Sequence, residues 1–71
     1  MGMDKVKKLI LQGQKLLSQG DYQGAAKAFA NALKRDDSVS IRNNLALSLY
    51  LSDQPEEALK ILEPAFQAER R

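Results

Sequence analysis

The amino-acid sequence predicts an all-α protein: four helices folded as two antiparallel helix-turn-helix hairpins, one stacked on the other. Three observations predict it. Gly13, Ala25, Phe29 and Ala32 recur as Ala46, Ala58, Leu62 and Ala65, each pair 33 residues apart. A constant spacing in that range marks a repeat whose units cannot bury their apolar faces alone and must stack. Three segments place apolar residues at i, i+3, i+4 and i+7, the periodicity of an amphipathic helix, and a further one between them is apolar on two sides. Between them stand short clusters of Gly, Asp, Ser, Gln and Pro, the residues that favour turns.

The first helix carries Val6, Leu9, Ile10, Gly13, Leu16 and Leu17 on one face. Asp4 is placed to cap it, its carboxylate accepting from first-turn amides at the positive end of the helix dipole. Met1, Gly2 and Met3 resemble a cloning remnant and are set aside. Ser18, Gln19 and Gly20 end the helix, and Gly20 suits the left-handed conformation that closes a helix because it has no side chain to clash. Asp21 caps the second helix, whose stripe is Tyr22, Ala25, Ala26, Phe29, Ala32 and Leu33. Its alanines leave little bulk, so another helix can approach closely, and Lys34 and Arg35 complement the dipole at its end.

Asp36, Asp37 and Ser38 form the next connection, with Ser38 as cap. The third helix is apolar on two sides: Ile41, Leu45, Ala46 and Leu49 line one, Leu47, Tyr50 and Leu51 the other. After the turn at Ser52, Asp53 and Gln54, Pro55 occupies a first helical position, where a missing amide is tolerated, and Glu56 and Glu57 follow. The fourth helix aligns Ala58, Leu59, Leu62, Ala65 and Phe66. Pro64 cannot donate to the backbone ladder and is expected to kink or fray the last turns, which end near Arg70. The expected core is Leu9, Gly13, Leu16, Ala25, Phe29, Ala32, Ala46, Leu49, Ala58 and Leu62.

Composition narrows the function. The chain of 71 residues allows one small domain, which buries only about 60% of its unfolded surface. Cysteine and histidine are both absent, which excludes disulfides, zinc sites and Ser-His or Cys-His nucleophile pairs. The lack of cysteine fits a reducing compartment, and a cytoplasmic location is expected. Glu56, Glu57, Glu63 and Glu69 are paired with no nucleophile or substrate pocket, so no catalytic residue, cofactor or metal is assigned and the protein is not expected to be an enzyme. The net charge of +2 is small and mixed in sign, and the basic residues Lys5, Lys7, Lys8 and Lys15 have no interleaved aromatic. No nucleic-acid partner is expected from that pattern. No apolar run approaches the roughly 20 residues of a membrane span.

The stretch Gly20-Asp21-Tyr22-Gln23-Gly24-Ala25-Ala26-Lys27-Ala28-Phe29-Ala30-Asn31-Ala32-Leu33 resembles the turn and second helix of a tetratricopeptide repeat. Gly13 with Ala25, and Ala46 with Ala58, match the family's pairing of small residues across a hairpin. The resemblance covers nearly the whole chain and implies a single domain over 4–71, with repeat 1 at about 4–37 and repeat 2 at about 38–71, wound as a fragment of a right-handed α-solenoid. Leu9 and Arg42 replace the usual large aromatic, Asp37 the usual proline, and Asp53-Gln54-Pro55 the Gly-Asp-Tyr turn.

The resemblance further implies a protein-interaction module binding a peptide or helix on the concave face lined by the first helix of each repeat. Lys7, Ile10, Gln14 and Leu17 of the first helix, with Asn43, Asn44, Leu47 and Tyr50 of the third, are the candidate partner-binding residues. Ile10, Leu17 and Leu47 are either groove anchors or residues buried between adjacent first helices. Tyr50 offers low-entropy apolar area and a hydroxyl that needs a partner. Asn44 falls where a chaperone-binding subset of the family carries a clamp asparagine. Ile10 and Gln14 replace that clamp's lysine and asparagine in the first repeat, so the clamp is not carried over. A second possibility is self-assembly as a homodimer, or membership of a longer array, through Leu59, Leu62 and Phe66 of the last helix, since two repeats are fewer than such arrays generally need.

Overall fold

The computed structural model describes the backbone of residues 2–69 and the side chains of residues 4–63. Its elements are α1 (Gly2–Ser18), α2 (Tyr22–Arg35), α3 (Val39–Leu51) and α4 (Pro55–Glu69). The chain is thus all-α, as the periodicity predicts. Packing runs in sequence: α1 on α2, α2 on α3, and α3 on α4. The Cα trace spans 34 × 31 × 14 Å, a slab of helices set side by side.

Local signals set most helix ends. The Asp21 carboxylate accepts from the Gly24 amide at 3.0 Å, and the Ser38 hydroxyl accepts from the Ile41 amide at 3.2 Å, so each satisfies one of the orphan donors of its helix. Pro55 opens α4, with Glu56 and Glu57 in the first turn. Asp4 differs from the expected cap. Helix α1 starts at Gly2 and places Asp4 inside the first turn, where its charge still suits the positive end of the dipole. The helical backbone of α4 continues past Pro64 to Glu69.

The two hairpin turns share three backbone bonds at the 33-residue offset. In the first, the amides of Gln19, Gly20 and Asp21 donate to the carbonyls of Lys15 (3.1 Å), Leu17 (3.0 Å) and Leu16 (2.9 Å). In the second, those of Ser52, Asp53 and Gln54 donate to Ser48 (3.0 Å), Tyr50 (3.2 Å) and Leu49 (2.8 Å). Gly20 sits at φ 84° and Asp53 at φ 66°. Both turns therefore close through a left-handed residue, although only one of them is glycine.

Among the described residues, two core clusters follow from the stacking. Ala25, Ala26 and Phe29 of α2 bury Leu45 of α3 among them, while Val6 of α1 and Ala32 of α2 enclose Ile41 of α3. Gly13, Ala25, Phe29, Ala32, Ala46 and Ala58 are buried as expected, whereas Leu9, Leu16, Leu49 and Leu62 are half-buried. Ser48 is fully buried, a position the apolar pattern passes over. Its hydroxyl donates to the Asn44 carbonyl at 2.9 Å, which removes the cost of burying a polar group. The nearest neighbour to Gly13 across the hairpin is the Phe29 ring, so the close approach expected against Ala25 is made chiefly by an aromatic face.

Candidate functional site

Helix α3 has no single apolar face because it must serve two neighbours. One face, with Ile41 and Leu45, is spent on α1 and α2. The opposite side brings Asn43, Leu47 and Tyr50 into line at i, i+4 and i+7, and α4 brings Pro55, Ala58, Leu59 and Leu62 into line across from them. Together with Ala46 these residues enclose a groove of about 470 Å³ between α3 and α4. The buried Ala46 and Ala58 make its floor, and Leu47, Tyr50 and Leu59 stand exposed along its walls. None of the described lining side chains is charged, so an apolar occupant would leave no unpaired ion behind among them.

The candidate residues fall into distinct positions. Asn43, Leu47 and Tyr50, expected on a concave face, share this one groove with Leu59 and Leu62, expected on a self-association surface. Phe66 falls outside the described side chains. On α1, Lys7 and Gln14 are exposed. Ile10 and Leu17 are half-buried and pack against the core cluster of Ala25, Ala26, Phe29 and Leu45. Asn44 is half-buried, with its carbonyl taking the Ser48 hydroxyl. Ala46, Pro55 and Ala58 complete the groove although their sequence signal reads as packing and helix start. The 33-residue offset was the available clue, since Ala46 and Ala58 match Gly13 and Ala25 beneath the first hairpin's own seat for α3.

The charged residues lie away from the lining. Arg42 pairs with Asp37 at the start of α3, and Lys60 lies 3.5 Å from Glu57 on the exposed side of α4; exposed pairs of the second kind contribute little. Among the described residues, no group of three or more acidic side chains is placed to hold a metal ion, and no helix is long and apolar enough to cross a membrane.

Stacked hairpins with matched turns and an open apolar groove at one end define a helical-repeat scaffold. The chain belongs to the tetratricopeptide repeat family: residues 16–71 match the family model of that description, from the last turn of α1 onward. Members of this family mediate protein–protein interaction, and the repeat is a non-catalytic scaffold. No curated protein and no solved structure matches the chain.

Proposed function

We propose that this protein is an interaction module that captures a peptide or helix of a partner protein on the α3 side of the molecule. The observation that carries this reading is the groove itself: Asn43, Leu47 and Tyr50 line up along α3 and face Leu59 and Leu62 across an uncharged trough. Tyr50, 62% exposed, supplies a rigid amphipathic contact, and Asn43 supplies an amide that both donates and accepts. Lys7 and Gln14, exposed on α1, extend the same reading to the concave face as peripheral contacts. Capture of partners from a cell lysate or peptide array tests it. Tyr50→Ala and Asn43→Ala should each weaken capture while leaving helical circular dichroism intact, and full binding by both variants would refute the proposal.

Self-association is the second reading, favoured by the exposure of Leu59 beside Leu47 and Tyr50. Light scattering over a range of concentrations separates the two: a folded monomer throughout removes the homodimer.

A further inference from the structure

The 33-residue repeat supplies a template for what the α3–α4 groove holds. Ile10, Leu17, Ala25, Ala26 and Phe29 of the first hairpin become Asn43, Tyr50, Ala58, Leu59 and Leu62 of the second, and all five of the latter line the groove. In the first hairpin that seat is filled by α3, whose Leu45 is buried against Ala25, Ala26 and Phe29 and whose Ile41 is buried against Val6 and Ala32. Burial follows occupancy. Val6 is 2% exposed and its counterpart Val39 is 65% exposed; Ala26 is 7% exposed and its counterpart Leu59 is 63% exposed. Equivalent backbone positions thus differ chiefly in whether a helix lies over them.

We infer that the α3–α4 groove is the docking seat for an amphipathic helix of a partner protein that presents aliphatic side chains at i, i+4 and i+8, the register of Ile41, Leu45 and Leu49 on α3. This deepens the interaction-module reading and rests on it. A second copy of the chain supplies no such helix in the same stacking geometry. The counterparts of Ile41, Leu45, Ser48 and Leu49 on α1 are Lys8, Gln12, Lys15 and Leu16, the first three exposed, and seating Lys8 and Lys15 would strip water from two ammonium groups with no charged partner among the described lining residues. Stacking of copies head to tail is therefore blocked at α1, while the carboxyl-terminal groove remains apolar. A helix seats there by the same knobs that α3 already uses one repeat earlier.

The probe is a synthetic peptide of this chain's own residues 38–54, held helical by a cross-link between positions 43 and 47, which face away from the seat. It is titrated into the isotope-labelled 71-residue protein and followed by amide NMR shifts. Binding should move the amides of Asn43, Leu47, Tyr50, Ala58, Leu59 and Leu62. It should weaken at least about tenfold with Leu45→Asp in the peptide or Leu59→Lys in the protein, a variant that alters only an exposed position. Shifts confined to Ala25, Ala26 and Phe29 would mean exchange into the first seat and would overturn the inference, as would no binding up to about 1 mM. A species of twice the 7.9 kDa chain mass that the peptide fails to dissociate would assign the groove to a second copy instead. Capture of a lysate partner that depends on Tyr50, with no peptide binding, would sink the helix inference and leave the interaction-module reading standing.

Discussion

The ring of Phe29 lies across Gly13 so closely that a Cβ added to the glycine would sit 2.6 Å from Cζ and 2.7 Å from Cε1. At the matching positions of the second hairpin stand Ala46 and Leu62. A methyl group is gained on one helix and an aromatic ring is reduced to an isobutyl group on the other. The matched positions thus carry complementary volumes, large on small in the first hairpin and medium with medium in the second.

Exchanging the pair tests that complementarity. Gly13→Ala should destabilise the fold by ~1 to 3 kcal/mol through overpacking, despite the better helix propensity of alanine. Phe29→Leu alone should cost about 1 kcal/mol or more by leaving a void. The double variant, which recreates the Ala46–Leu62 pair, should be more stable than the two costs predict. Urea titrations of all four proteins measure the coupling, and strictly additive values would show that the ring and the glycine do not sense one another.

Opposite signs are expected at the two left-handed turn residues. Nothing lies within 4 Å of a Cβ built at Gly20, so Gly20→Ala should cost roughly 1 to 2 kcal/mol from backbone strain alone. Asp53→Gly should stabilise by roughly 0.5 kcal/mol, because the strain it relieves exceeds the added freedom of the unfolded chain. Thermal unfolding monitored by circular dichroism reads both, a change of about 1 kcal/mol corresponding to about 4–8 °C in a domain of this size.

Ser48→Ala should be neutral or slightly stabilising, since the lost hydroxyl takes its only acceptor's second bond with it and alanine is the stronger helix former. Ser48→Lys, which installs the residue found at position 15, should cost about 3 kcal/mol or more by burying an unpaired ammonium. Retention of a cooperative melt near the parent temperature in Ser48→Lys would contradict the stacking of α3 on the first hairpin.

Position 59 and position 26 should respond unequally to one substitution. Leu59→Lys should leave the melting temperature within a few degrees, as exposed changes generally do, whereas Ala26→Lys should unfold the chain. Comparable melting of the two variants would mean that the groove is not open in solution.

Much of this was legible in the residue pattern, and the exceptions share a cause. The caps at Asp21 and Ser38, the left-handed Gly20 and the helical start at Pro55 are decided by bonds within a few residues, so local sequence reports them directly. What periodicity left open was burial between helices. Helix α3 has two apolar stripes of similar weight, and only the packing of Ile41 and Leu45 onto α2 shows which is inside. Ser48 is buried because it shares that inner side, whatever its polarity. Similarly, Asn43 and Leu59 read as members of separate surfaces because they lie on different helices, and their union in one groove depends on the angle at which α3 meets α4.

That meeting has a thermodynamic consequence. Helix α4 is supported mainly from one side, by α3, so a ligand in the groove would act as its second support and would bind the folded chain but not the unfolded one. Folding and recognition are then linked equilibria: a partner at about 100 times its Kd raises the unfolding free energy by about 2.7 kcal/mol. For a chain this small, that is a substantial share of the whole, and the melting temperature becomes a direct gauge of what has been bound.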